Sequence, residues 1–140
     1  MSPNPFPALL LPLFEIPPAQ AGFPSPATDY LEEALDLNEL LVRNPPATFY
    51  VRVKGASMID VGLLDNDIAI VDRSIAPKPG CIVVAACDGS IYIKRLRVLT
   101  GRLALCSENE ARATAYPPLF IDQMQDHVLW GVVTGVVRKI

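Results

Sequence analysis

Two side chains of this sequence have the types and the surroundings that nucleophilic catalysis requires. Ser57 follows a predicted strand directly, and Gly55 permits a sharp bend that would lift the serine to the end of that strand. The backbone N–H groups of Ser57 and Met58 would then point at a developing oxyanion. A serine nucleophile also needs a base, and the candidates are Lys94 and His127, the only histidine of the chain.

The predicted strands around Lys94 favour it as that base. If Asp88-Gly89 is a two-residue hairpin turn, Val83 pairs with Lys94 across the hairpin. Alternation along the strand then places Lys94 on an apolar face with Tyr92 and Leu96. Desolvation on such a face lowers the pKa of a lysine, and a neutral amine can accept the serine proton. The alternative is that Lys94 reaches solvent, as most lysines on strands do.

The part of the chain before the serine divides into an arm and two predicted helices. Eight of the 14 prolines lie in residues 1–27, which excludes a long helix or a central strand there and predicts an extended arm. Two capping patterns, each an acidic residue followed three positions later by a glutamate, predict short helices near 29–35 and 37–43. The remaining domain, 28–140, would then be the folded part of the chain.

Everything after Ala47 has the composition of short strands. Apolar and β-branched runs separated by turn residues at close spacing indicate a mainly β fold, either a sandwich or a partly open barrel. The sequence contains no internal repeat. The predicted strands are Thr48–Val53, Ile68–Asp72, Ile82–Ala86, Ile91–Leu96, Leu103–Cys106 and Val128–Val137.

Composition limits the classes of function. The 140 residues carry a net charge of −3 and are 51% hydrophobic, which suits one globular domain with a proper core. A mildly acidic chain argues against strong nucleic-acid binding through phosphate neutralisation. With one histidine and no Cys-x-x-Cys, a metal site or another cofactor is not expected.

The sequence favours a cytoplasmic protein. No apolar run approaches the length that a bilayer requires, and no Lys or Arg precedes Arg43, so the basic start of a signal peptide is absent. The odd number of cysteines, three, in apolar surroundings indicates buried reduced thiols.

Four segments of the chain resemble the LexA/UmuD family of self-cleaving serine peptidases. Phe49–Asp60 is similar to the serine region, Asp65–Asp72 to the strand that follows it, Ile91–Leu96 to the lysine strand, and Ala21–Ala27 to the cleavage region. The order is that of the family, and so are the spacings of 37 residues from Ser57 to Lys94 and 35 from Gly22 to Ser57. Within the family we expect the chain to be UmuD-like, because the 21 residues before Gly22 are too few for the N-terminal DNA-binding domain of LexA.

The resemblance implies a specific role for each matching residue. Ser57 is the nucleophile, Lys94 the general base, and the Met58 amide an oxyanion donor. The arm would be removed by cleavage between Ala21 and Gly22, leaving residues 22–140. The family fold is mainly β, with short twisted sheets in a partly open barrel.

The resemblance also implies partners and a biological setting. A RecA filament would stimulate cleavage during the bacterial SOS response to DNA damage, and the processed homodimer would join a UmuC-like Y-family translesion polymerase. No cofactor is implied. One departure from the family is Ala56, which stands where an aspartate is frequent.

Two other functions remain open from the sequence. The chain could be a non-enzymatic polymerase-binding module in which the serine and lysine are vestigial. It could also be a LexA-like regulator without a DNA-binding domain, although its acidic composition counts against this.

Overall fold

The computed structural model describes residues 8–16 and 31–140 of the chain. These residues fall into two compact units, one ending at Arg43 and the other beginning at Asn44. The predicted cleavage site, Ala21-Gly22, lies outside the described residues, so the boundary of the arm stays a prediction.

The first unit contains a small antiparallel sheet and one short helix. Strand β1 (Leu11–Phe14) pairs with β2 (Leu31–Leu35), and helix α1 (Leu37–Leu41) follows. The helix begins as predicted, because Asp36 caps it by accepting a hydrogen bond from the Asn38 N–H at 3.0 Å.

The helix predicted near 29–35 is wrong, since Leu31–Leu35 is the strand β2. The capping pattern there is a local signal, and a helix of about seven residues is marginal without support from packing. Pairing with Leu11–Phe14 supplies the backbone hydrogen bonds instead. The proline at position 12 is tolerated in that partner because each strand of a two-stranded sheet has a free edge.

The second unit is a single seven-stranded antiparallel sheet, so the fold is mainly β as predicted. Its strand order is β3-β4-β9-β5-β6-β7-β8, and the sheet is open because β3 and β8 form its two edges. Short 3-10 turns lie at Pro45–Ala47, Ile59–Val61, Glu110–Ala115 and Ile121–Gln123. The strands are β3 (Thr48–Arg52), β4 (Ile68–Asp72), β5 (Ile82–Cys87), β6 (Ser90–Leu99), β7 (Arg102–Cys106), β8 (Leu119–Phe120) and β9 (His127–Val137).

The hairpin of β5 and β6 has the predicted register. Asp88 and Gly89 have φ of 48° and 86°, the left-handed values that a two-residue hairpin turn requires. Cys87 therefore pairs with Ser90, and Val83 pairs with Lys94. The turn thus sets the position of Lys94 within the sheet.

Two clusters of buried apolar side chains support the sheet. The first surrounds the hairpin and consists of Val83, Ala85, Cys87, Leu96, Leu105 and Val132. The second lies beneath the segment after β3 and consists of Val53, Met58, Leu63 and Ala69. The loop that carries Ser57 is therefore anchored to a core through the residue that follows the serine.

The lengths of the helices and the state of the cysteines can also be read from the structure. Within the two described stretches, α1 and the 3-10 turns are all too short to cross a bilayer. The three cysteines are free thiols, as predicted, and Cys87 and Cys106 are buried while Cys81 is half-buried. Burial raises the pKa of the Cys87 and Cys106 thiols above the ordinary value, which keeps both protonated.

Candidate active site

The loop of Ser57 is held by the sequence that flanks it. Ser57 lies in the turn between β3 and the 3-10 turn Ile59–Val61, and it is half-buried. Gly55 has a φ of 83°, a conformation that other residues adopt only with strain. Its N–H donates to Asp65 Oδ1 at 2.7 Å. The bend predicted from the glycine is present and is tied to the next loop.

Met58 anchors the same loop from below. Its side chain is only 2% exposed and packs with Val53, Leu63 and Ala69. A residue fixed in this way holds the backbone of its neighbour, Ser57, with little freedom. The role of the Met58 amide as an oxyanion donor stays a prediction.

A second segment, Ser107–Glu110, fastens the serine loop from the other side. The Glu108 N–H donates to the Ser57 carbonyl and the Asp60 N–H donates to the Glu108 carbonyl, each at 2.8 Å. The Asn109 side chain donates to the Ala56 carbonyl at 2.8 Å. Three hydrogen bonds therefore fix the loop backbone around the serine.

Lys94 is buried, as the alternation on β6 predicted. It is 8% exposed, and burial lowers the pKa of its amine below the ordinary lysine value. The alternative that Lys94 reaches solvent is therefore wrong. Nζ lies 5.3 Å from the centre of the Tyr116 ring and 6.0 Å from that of Tyr92. Both rings can stabilise the amine when it becomes charged.

The amine donates a hydrogen bond to Ser107 Oγ at 2.6 Å. Within residues 31–140 no hydrogen bond joins Nζ to Ser57 in this conformation. The two predicted groups are linked through consecutive residues, because Ser107 binds the Lys94 side chain and Glu108 binds the Ser57 backbone. A short segment thus contacts both of them.

Glu108 also connects this segment to the lysine strand. Its carboxylate accepts hydrogen bonds from Arg95 and Arg97 on β6, each at 2.6 Å. Partial burial alone would favour the neutral acid, but the two guanidinium groups outweigh it and lower the pKa of Glu108. The carboxylate is therefore ionised at neutral pH. Glu108 links β6 to the serine loop, because its side chain binds the two arginines and its backbone binds Ser57.

His127, the other candidate base, lies elsewhere on the sheet. It pairs with Cys87 at the turn end of β5, whereas Lys94 pairs with Val83. Four positions along one strand separate the two partners, which is roughly 13 Å. The imidazole is also exposed. The geometry therefore favours Lys94.

A cavity of about 290 Å³ opens beside the amine. Its walls include Ser107 and Tyr116, the two groups next to Lys94 Nζ, together with Asp60 and Glu108 near the serine loop. The cavity therefore lies along the segment that contacts both Lys94 and the serine loop. Among the described residues, no cluster of three or more histidine, cysteine or acidic side chains is arranged to hold a metal ion.

The sequence reasoning missed Ser107, Glu108 and Asn109, although one signal was available. Thr100 and Gly101 have φ of 51° and 76° and form a second two-residue turn, so Leu99 pairs with Arg102. Continuing that register by one residue beyond the end of β7 places Ser107 opposite Lys94. The pair Thr-Gly is a weaker turn signal than Asp-Gly.

Comparison with known proteins identifies a family and several relatives. Residues 12–134 match the family described as Peptidase S24-like. Protein SamA of Salmonella typhimurium is 46% identical over 119 residues, which are 85% of this chain and 79% of SamA. Protein ImpA of Escherichia coli is 43% identical over 122 residues, 86% of this chain and 79% of ImpA. Protein MucA of Escherichia coli is 43% identical over 115 residues, 81% of this chain and 75% of MucA.

The match extends over both predicted reactive residues, Ser57 and Lys94, and over the whole of the sheet up to Thr134. The relatives are also covered over most of their own lengths. The chain therefore belongs to the Peptidase S24-like family, as a UmuD-like member of the LexA and UmuD type of serine peptidase.

Proposed function

We propose that this protein cleaves its own chain between Ala21 and Gly22, using Ser57 as the nucleophile and Lys94 as the general base. UmuD-like proteins belong to SOS mutagenesis, and the cleavage would convert the full chain to the form 22–140. The reaction is hydrolysis of one peptide bond and needs no cofactor.

The chemical steps follow from the groups at the site. Neutral Lys94 takes the proton of the Ser57 hydroxyl while Oγ attacks the carbonyl carbon of Ala21. The N–H groups of Ser57 and Met58 donate to the oxyanion. The C–N bond then breaks, and the lysine ammonium returns its proton to the amine of Gly22. Water, deprotonated by the same lysine, then attacks the ester carbonyl carbon. The bond from that carbon to Ser57 Oγ breaks, the lysine ammonium returns the proton to Oγ, and the released Ala21 carboxyl group ionises.

The burial of Lys94 is the observation that supports this proposal most. A lysine amine can act as a base only when it is neutral, and removal from water favours the neutral form. Lys94 is 8% exposed and is held by the segment that also binds the Ser57 backbone. The proposed reaction requires the Lys94 side chain to bring Nζ within hydrogen-bond distance of Ser57 Oγ when the peptide docks.

The proposed setting extends to partners. A RecA nucleoprotein filament would stimulate cleavage by favouring the docked arm over the undocked arm. The shortened homodimer would then be the accessory subunit of a UmuC-like, error-prone Y-family polymerase in the cytoplasm. The protein itself would not need to bind DNA strongly, which fits its net charge of −3.

Mass spectrometry of the purified full chain tests the proposal. We expect fragments 1–21 and 22–140 after incubation at pH 10, and faster cleavage at neutral pH with a RecA filament. Ser57→Ala and Lys94→Ala should each stop the reaction, and His127→Ala should leave it unchanged. Cleavage by Lys94→Ala at the parent rate would show that the base is wrongly assigned.

The non-enzymatic alternative makes the opposite prediction. It draws on the hydrogen bond of Lys94 to Ser107, which leaves the amine unbound to Ser57 in this conformation. A chain that stays intact with RecA filament and at pH 10, yet binds a Y-family polymerase, would favour a binding module. A chain that binds DNA at physiological salt would favour a regulator.

A further inference from the structure

We propose that Ser107 is a positioning residue for Lys94: its hydroxyl accepts a hydrogen bond from the amine and thereby directs the nitrogen lone pair for proton transfer. This inference rests on the proposed self-cleavage. It adds to the serine and the lysine a third side chain, just beyond the C-terminal end of β7, that acts through the lysine and neither makes nor breaks a covalent bond.

The register of the sheet explains why Ser107 meets the amine. Cys106, the last residue of β7, pairs with Arg95 on β6. The next residue, Ser107, therefore lies opposite Lys94, where cross-strand side chains on one face are neighbours. On the other side of β6, Lys94 is opposite Val83, whose side chain has no polar atom. The order and register of β6 and β7 thus place the Ser107 hydroxyl 2.6 Å from the Lys94 amine.

The backbone of Ser107 is held firmly enough to orient another group. Cys106 before it is paired in the sheet, and Glu108 after it bonds through both backbone groups to Ser57 and Asp60. The Glu108 carboxylate is fixed in addition by Arg95 and Arg97. By contrast, a lysine side chain has four rotatable bonds and needs an external contact to be pre-organised.

The direction of the hydrogen bond suits a base. A neutral amine has two N–H donors and one lone pair, and only the lone pair can take a proton from Ser57. When Ser107 Oγ accepts one N–H, that donor is satisfied and the lone pair stays available. The same hydroxyl accepts from the ammonium that forms after proton transfer, so it serves both states of the reaction.

The other titratable groups around the amine come from three elements. Tyr92 lies on the same strand, Cys106 on β7, and Tyr116 on the segment after the 3-10 turn Glu110–Ala115. The charged neighbours on β6, Arg95 and Arg97, both pair with the Glu108 carboxylate. A change at Ser107 therefore alters the amine without removing a charge from its surroundings.

The test compares Ser107→Ala, Ser107→Thr and, as a control, Ser90→Ala at the exposed start of β6. We expect Ser107→Ala to lower the maximal rate of self-cleavage about 10- to 100-fold, since small misplacement of a catalytic group has effects of this size. Threonine keeps the hydroxyl and should restore most of the rate. Ser90→Ala should cleave as the parent does.

A second measurement does not depend on cleavage. The pKa of Lys94 is followed by NMR of ¹³C-labelled lysine in chains that also carry Ser57→Ala. The Ser107 hydroxyl accepts a hydrogen bond that favours the charged amine, so its loss in Ser107→Ala should lower the pKa of Lys94 further. Ser107→Thr should restore the pKa of the parent. An unchanged lysine titration in Ser107→Ala would overturn the proposal, even if the rate falls. A parent chain that never cleaves would refute the proposed function and leave this titration as a separate result.

Discussion

Lys94 combines a stability cost with a catalytic use. Its amine is buried among apolar and aromatic groups, and burial holds its pKa below the ordinary lysine value. The folded chain therefore binds its proton less readily than the unfolded chain does. At neutral pH the buried amine therefore lowers the free energy of unfolding. This cost disappears as the pH rises past the pKa of lysine in the unfolded chain.

Lys94→Met should separate the two effects. We expect the variant to lose self-cleavage, as Lys94→Ala should, because a general base usually contributes about 10²- to 10⁴-fold to the rate. We also expect it to be more stable than the parent at pH 7, because methionine fills the site without a charge. Urea unfolding at pH 7 and pH 10 measures this, and the gain should shrink at the higher pH. Lys139→Met, at an exposed position, is the control. A less stable Lys94→Met at pH 7 would contradict the argument.

At the scale of residues, the sequence predicted the side chains that have a local signature. Gly55 and the spacing of Ser57 and Lys94 can be recognised without coordinates. Ser107 and Glu108 cannot be recognised from type alone, because a serine and a glutamate after a strand are ordinary surface residues. Their contacts depend on the register of β6 and β7, which a weak Thr-Gly turn sets.

At the scale of elements, turn chemistry predicted more than helix capping did. Asp88-Gly89 fixes a hairpin through the backbone conformation of two residues, so the register followed from the sequence. The capping pattern near 29–35 failed because a short helix depends on packing, and the partner strand β1 is distant in sequence. The two-residue strand β8 was missed for a related reason, since its pairing with β7 gives it its structure.

Strand β9 connects the two halves of the sheet. It pairs with β5 through its first half and with β4 through its second half, with an irregularity in each ladder. Gly131 lies where the two pairings meet. A Cβ atom there would lie 2.8 Å from Val71 Cγ1 and 2.9 Å from the Asp72 carbonyl oxygen. Only glycine allows the strands to approach this closely.

Gly131→Ala should therefore lower the free energy of unfolding. The new methyl group collides with backbone as well as with a side chain, and overpacking of this kind costs about 1–3 kcal/mol. Val128→Ala, at an exposed position of the same strand, should change it by about 0.5 kcal/mol or less. Equal stability of the two variants in urea unfolding would show that β9 can shift away from β4 without penalty.

At the scale of the whole molecule, one ion pair ties the end of the chain to the loop before β4. Arg138 donates two hydrogen bonds to the Asp67 carboxylate, at 2.6 and 2.7 Å, and a third to the Gly62 carbonyl at 3.0 Å. Asp67 is 1% exposed and also accepts from the Leu64 N–H. The contact joins two residues that are 71 positions apart, one just after β9 and the other just before β4.

This pair should make the protein sensitive to acid. The hydrogen bonds from Arg138 lower the pKa of Asp67 from 3.8 to about 2. A carboxyl whose folded-state pKa is depressed contributes its full stability above the unfolded value, and the contribution is lost as the pH falls toward 2. The parent chain should therefore lose stability between about pH 4 and pH 2 partly through this group.

Arg138→Gln tests that dependence. We expect the variant to be less stable than the parent at pH 7, because the buried Asp67 carboxylate loses its cation, and the difference should shrink as the pH falls from about 4 to 2. Arg102→Gln is the matched control, since its partner Asp122 is 56% exposed and can be solvated when the arginine is removed. Urea unfolding of the three chains at pH 7, 4 and 2.5 gives the comparison. If the difference in free energy of unfolding between Arg138→Gln and the parent stays constant across that range, the titration of Asp67 is not the cause of the acid sensitivity.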